Sequence, residues 1–86
     1  MANIARLGDT SSHGGHIISA SDNATADNIG IARTGDQHSC PIDGHGTTSL
    51  IGTGRATADG RQVVRVGDRA GCGAVITSGS PNVTSG

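Results

Sequence analysis

The sequence predicts an all-β fold, a small compact domain of short strands and hairpins folded from three internal repeats. Three observations carry that prediction. No segment of ten or more residues places apolar side chains at helical spacing, and Gly, Thr, Ser and Val are scattered in the manner of strands and turns. A four-residue marker recurs as Arg6-Leu7-Gly8-Asp9, Arg33-Thr34-Gly35-Asp36 and Arg65-Val66-Gly67-Asp68. In each copy a side chain able to bind metal follows four residues after the Asp, as His13, Cys40 and Cys72. The expectation is therefore a single domain over residues 1–86, with units at about 4–30, 31–63 and 64–86 and pseudo-threefold packing.

In the first unit, Ile4 to Asp9 reads as a short strand leaving through a Gly-Asp turn, and Thr10-Ser11-Ser12 as loop. The glycines of His13-Gly14-Gly15-His16 let the backbone bend tightly beside the imidazole. Ile17 to Ser21 reads as strand, Asp22-Asn23 as turn, and Ala24-Thr25-Ala26 as a short extended piece ending at Asp27-Asn28-Ile29-Gly30. The second unit runs from Ile31 through a ligand-rich loop to Gly54, after which Arg55-Ala56-Thr57-Ala58 repeats the earlier Ala-Thr-Ala. Asp59-Gly60 is a hairpin signal, since both central positions of such a turn need positive φ. Gln62 to Val66 is the strongest strand pattern, and Val64 to Gly79 forms the third unit, closed by a short extended segment at 80–84. Asp9 and Asp36 are 27 residues apart, Asp36 and Asp68 are 32 apart, and the Pro41 to Gly46 loop accounts for most of the excess.

The core needs help. The 86 residues include no aromatic side chain and 15 glycines, so Ile, Val, Leu and Ala must supply the burial. A metal staple or a partner surface is the physical remedy in so small a chain. His13, Cys40 and Cys72, at equivalent repeat positions, together with His45, make a set able to close a tetrahedral zinc site. His38 competes with Cys40 for one position. An extended backbone is expected to turn it away from the Cys40 face, whereas a turn lets it replace Cys40 and gives three His and one Cys. The two cysteines can alternatively form a disulfide, but four histidines beside them favour shared metal ligation. A closed set of four protein ligands favours a structural zinc, one per chain, over a catalytic one. His16 reads as a surface residue.

Other function classes fall away. Six dispersed Arg, no Lys, a net charge of −1 and no ring to stack on a base argue against nucleic-acid binding. Neither Ser12 beside His13 nor Ser39 beside Cys40 defines a nucleophile and base, and no Walker or dinucleotide pattern is present, so an enzyme is not expected. The start has no apolar signal core, so export, if it occurs, does not use a signal peptide. In the Arg-x-Gly-Asp copies, Gly permits the strand exit and Asp accepts backbone hydrogen bonds, while Arg6, Arg33 and Arg65 pair with nearby Asp or reach toward a partner.

Taken together, Ala5-Arg6-Leu7-Gly8-Asp9, Ala32-Arg33-Thr34-Gly35-Asp36, Val64-Arg65-Val66-Gly67-Asp68, Ser12-His13-Gly14-Gly15, Cys40-Pro41 and His45-Gly46 resemble the PAAR-repeat family across nearly the whole chain. The literal Pro-Ala-Ala-Arg is absent. Ala24-Thr25-Ala26 and Ala56-Thr57-Ala58 precede the Arg-bearing segments instead. The resemblance implies a β-rich cone, zinc-stapled at its apex, that caps the trimeric VgrG spike of a type VI secretion system, one copy per trimer. It also implies possible effector proteins as partners and only transient membrane contact, during puncture. The ligands it implies are four of His13, His38, Cys40, His45 and Cys72, and the family's three His and one Cys favour His38 over Cys40. The implied itinerary is synthesis in the cytoplasm without a signal peptide and delivery outward on the spike, as a stand-alone tip. The rival is a free-standing zinc-binding adaptor for another protein.

Overall fold

The computed structural model describes residues 2–40 and 46–85, and its strands are short. In chain order they are β1 (Ala2–Asn3), β2 (His16–Ile17), β3 (Thr25–Ala26), β4 (Ile29–Gly30), β5 (Gln37–Cys40), β6 (Gly46–Ile51), β7 (Thr57–Ala58), β8 (Arg61–Gln62), β9 (Arg69–Ala70) and β10 (Thr84–Ser85). Among the described residues every regular element is a strand, as expected, and the molecule measures 32 × 20 × 20 Å.

A closed ring of backbone hydrogen bonds ties the three units together. Ala5 N donates to Val64 O at 2.8 Å, Ala32 N to Ala5 O at 3.0 Å, and Val64 N to Ala32 O at 3.0 Å. Each unit thus donates to one neighbour and accepts from the other. The Arg-x-Gly-Asp markers turn the chain out of this ring. The Asp Oδ2 accepts from the Arg backbone N three residues earlier, at 2.6 Å for Asp9, 2.7 Å for Asp36 and 2.8 Å for Asp68. Gly8, Gly35 and Gly67 take φ of 86°, 92° and 97°, a region side chains rarely enter. Their N–H groups bond the carbonyls of Ile17, Leu50 and Ile76, each at 2.9 Å, which turns three large aliphatic side chains inward at equivalent places.

At one end stand three two-stranded ribbons: β3–β4, β7–β8 and β1–β10. The first two are closed by tight turns with positive φ, Asp27-Asn28 (54° and 67°) and Asp59-Gly60 (53° and 78°). The third pairs the two extremities of the chain, Ala2 with Ser85 and Asn3 with Thr84. Asp59-Gly60 forms the hairpin that the sequence signals. At Asp27-Asn28 the expected run-on of an extended piece is instead a full hairpin, because Asp and Asn tolerate left-handed backbone. Ile17 to Ser21 and Gln62 to Val66 are less regular than expected: strand pairing covers only Ile17 of the first and Gln62 of the second, with isolated bridges beyond it at Val63 and Arg65.

At the other end the sheet β2-β5-β6-β9 curls on itself. Bridges Arg69↔Val75, Ser11↔Ile76 and Thr10↔His16 carry the pairing from β9 back to β2. Two apolar layers fill the interior. Ile4, Ile31, Val63, Ala26 and Ala58 pack beneath the ribbons. Ala5, Ala32, Val64, Ile17, Leu50, Ile76, Ala70 and Ala74 form the second layer, on which Cys72 sits. Each fully buried Ile, Leu or Val contributes roughly 1.5–3 kcal/mol.

Guanidinium groups bind the flanks. Arg33 donates through Nε and Nη2 to Asp36, both at 2.8 Å, and through Nη1 to Asp59 at 2.7 Å. Arg6 lies 3.6 Å from Asp9 and 3.7 Å from Asp27. Arg65 departs from the pattern and donates instead to Thr53 Oγ1 at 2.7 Å, with Thr53 in turn on Asp68.

Candidate metal centre

Two of the donors ride on matching hairpin turns. At the first, Ser11 N bonds Gly15 O and Gly14 N bonds Ser11 O, both at 3.0 Å, with Gly14 at φ 82° just after His13. At the second, Ala70 N bonds Ala74 O at 2.9 Å and Gly73 N bonds Ala70 O at 3.0 Å, with Gly73 at φ 90° just after Cys72. His13 and Cys72 therefore occupy the same place in equivalent turns. Cys40, the third repeat position, ends β5.

The three side chains converge. One donor atom from each of His13, Cys40 and Cys72 falls within a 4.8 Å span. His13 Nδ1 is 3.5 Å from Cys40 Sγ and 3.8 Å from Cys72 Sγ. Ligands on a tetrahedral zinc, at ~2.0–2.1 Å for nitrogen and ~2.3 Å for sulfur, stand ~3.5 Å from one another, so both His13 separations match those of a metal site.

His38 lies beside this cluster, on its Cys72 side. It is fully buried, and its Nδ1 lies 4.0 Å from Cys72 Sγ. The expectation that an extended backbone turns it away from Cys40 fails for a simple reason. Side chains alternate faces along a strand, so residues two apart share one, and β5 carries both His38 and Cys40 inward. His38 Nε2 meets Ser11 Oγ at 2.7 Å, which leaves Nδ1 to face the Cys72 sulfur. His45 lies outside the described residues. His16 is exposed on β2, as a surface residue should be.

The electrostatics favour a neutral His38 imidazole and a more acidic Cys72 thiol. Burial, helped by the nearby charges of His13 and His16, pushes the His38 pKa below its ordinary value. Burial raises the Cys72 thiol, but hydrogen bonds from the Ala74 backbone, Thr48 and Cys40 outweigh it and lower the pKa. Thr48, which pairs with His38 across β5–β6, has a buried hydroxyl with no partner at full hydrogen-bond geometry, yet near enough to Cys72 to contribute to that lowering. A metal-bound thiolate is the acceptor that this hydroxyl lacks.

Gly15 makes the close packing possible. A Cβ there would fall 2.0 Å from Ser39 O and 2.8 Å from His38 Nε2. Neither Ser11, Thr48 nor this role of Gly15 is signalled locally. Each follows from strand pairings that bring separate units together.

A family model for the PAAR motif matches residues 7–78. The chain belongs to the PAAR-motif family. No curated protein matches it closely enough to count as a relative. PAAR-type proteins are structural and associated with type VI secretion spikes, and in this member the match spans both donor-bearing turns and all of β5 and β6.

Proposed function

We propose that this PAAR protein is the pointed cap of a type VI secretion spike, seated on the trimeric VgrG protein with one copy per trimer. The observation that carries the proposal is the closed ring through Ala5, Ala32 and Val64. It gives one chain three equivalent directions, so a single copy meets a threefold partner with a similar ribbon on each subunit. The ribbon end faces the spike and the loop end forms the point. The protein leaves the cell on the spike and touches a membrane only during puncture. Separate effector proteins travel with it.

The metal at the point is zinc, one per chain, held by His13, Cys40 and Cys72 with His38 or His45 as the fourth ligand, a reading supported by the convergence of the first three. His13 comes from the first unit, His38 and Cys40 from the second and Cys72 from the third, so all three units are joined where the apolar core has ended. The zinc supplies closed tetrahedral coordination and no catalysis. Ser11 holds the His38 ring, and Gly15 lets the first turn lie against it.

Native mass spectrometry of the protein mixed with its trimeric spike tests the reading. A complex of one chain with three spike subunits is the expected result. Binding to spike monomers, or three chains per trimer, would contradict it and favour an adaptor.

A further inference from the structure

Cys40 and Cys72 allow the donor cluster a second chemistry. They belong to different units, 32 residues apart, and are reduced in this structure. Their sulfurs fall within the same 4.8 Å span. A disulfide brings two sulfurs to ~2.05 Å, so the pair has to close by less than ~3 Å. Cys72 stands between Gly71 and Gly73 at the tip of a turn, where side-chain and backbone movement meets little resistance. Cys40 is 6% exposed and Cys72 is partly exposed, so an oxidant from solvent reaches Cys72 first.

We propose that Cys40 and Cys72 form a reversible oxidation site, at which a peroxide closes an intramolecular disulfide that excludes the metal. The Cys72 thiolate attacks one peroxide oxygen, the O–O bond breaks, and Cys72 becomes a sulfenic acid as hydroxide or alkoxide departs and takes a proton. The Cys40 thiolate then attacks the Cys72 sulfur, the S–O bond breaks, and hydroxide leaves to become water. Two thiols have lost two electrons and the peroxide has gained them. His13 and His38, left without the thiolates, cannot close a four-coordinate site. The staple changes reach as well as chemistry. Metal joins all three units, whereas the disulfide joins only the second and third and releases the turn that carries His13. Either form ties β5 to the turn after β9, so the loop end keeps one cross-link in reducing and oxidising surroundings.

Loss of the ion rests on the metal reading above, whereas the pairing of the sulfurs does not. In the test, zinc-loaded full-length protein is treated with hydrogen peroxide in the presence of a chromogenic zinc chelator, with intact mass and peptide map followed in parallel. The expected result is release of one zinc per chain at the rate at which a Cys40–Cys72 cross-link appears, a mass lower by two hydrogens, and full rebinding after dithiothreitol. Zinc release with sulfinic acid and no cross-link, disulfides between chains, or a cross-linked chain that keeps its zinc would each overturn the inference. If the reduced chain takes up no zinc, the metal reading fails instead, and mass and peptide map of the peroxide-treated chain still decide the pairing.

Discussion

The two ends of this protein are held by different physics. Under the ribbons, Ile4, Ile31 and Val63 form an apolar layer with Ala26 and Ala58, and the flanks are tied by Arg33 to Asp36 and Asp59. Two serine clips recur there: Ser21 Oγ and Ser80 Oγ each accept from two backbone N–H groups and donate to Asp59 and Asp27 respectively. Beyond Ile17, Leu50 and Ile76, no comparable apolar layer is found among the described residues of the loop end, where His38 and Cys40 are buried and His13 and Cys72 partly so. A ribbon end stabilised by burial and ion pairs should fold with or without metal, whereas a loop end of polar donors is, in the zinc reading, completed by it. The load-bearing point, in the spike reading, is thus the part whose order depends on a ligand.

Removing the metal should break that contrast most strongly. Structural zinc sites bind with on the order of 10 kcal/mol, much of which is folding free energy. Cys72→Ala, or chelation of the native protein, should lose bound zinc and drop the thermal midpoint by far more than any other change. Hydrogen exchange should accelerate at the amides of Ser11, Ile17 and Ala70 while those of Ala5, Ala32 and Val64 stay protected. Equal acceleration throughout would show that the two ends are not independent.

At the ribbon side the largest loss should come from Asp36→Asn. The carboxylate is 4% exposed and takes two bonds from the Arg33 guanidinium, so its removal leaves that partly buried cation with Asp59 as its remaining partner and costs about 3 kcal/mol in urea unfolding, with zinc content unchanged. Next in size is Gly15→Ala, which forces a methyl against Ser39 O and the His38 ring. About 2 kcal/mol is expected, and zinc affinity measured by chelator competition should fall with it, unlike in Asp36→Asn. The smallest is Ser80→Ala, at about 1 kcal/mol, seen as faster exchange at Asn82 and Val83.

Acid should separate the ends in order. The folded His38 pKa is depressed, so its contribution is present above the ordinary histidine value of ~6.5 and declines as pH falls below it, as protons also compete with metal. Asp27 and Asp59 are also depressed, chiefly by the serine hydroxyls, and their contribution persists until pH falls below the ordinary carboxylate value of ~3.9. Exchange measured from pH 7 to 3 should open the loops first and the ribbons last.

Much of this architecture is legible in the sequence, because repetition carries it. The Arg-x-Gly-Asp copies reveal three units, and the place four residues after each Asp reveals His13, Cys40 and Cys72, which the fold brings together. What escapes is everything that depends on register. The Asp27-Asn28 hairpin has no glycine to announce it, and the split ribbon β1–β10 joins residues from opposite ends of the chain. Thr48 acquires its place only because β6 pairs it with His38, and Ser11 only because its turn packs against β5. The relation of His38 to Cys40 is different in kind. Two-residue spacing on a strand already puts both on one face, and the structure supplies only the strand.

The most direct measurement is metal content with X-ray absorption at the zinc edge, on protein purified in reductant without chelator. The account predicts one zinc per chain, bound by two nitrogens and two sulfurs at tetrahedral distances. Protein without tightly held metal would contradict the zinc-completed loop end, and three nitrogens with one sulfur would contradict joint ligation by Cys40 and Cys72.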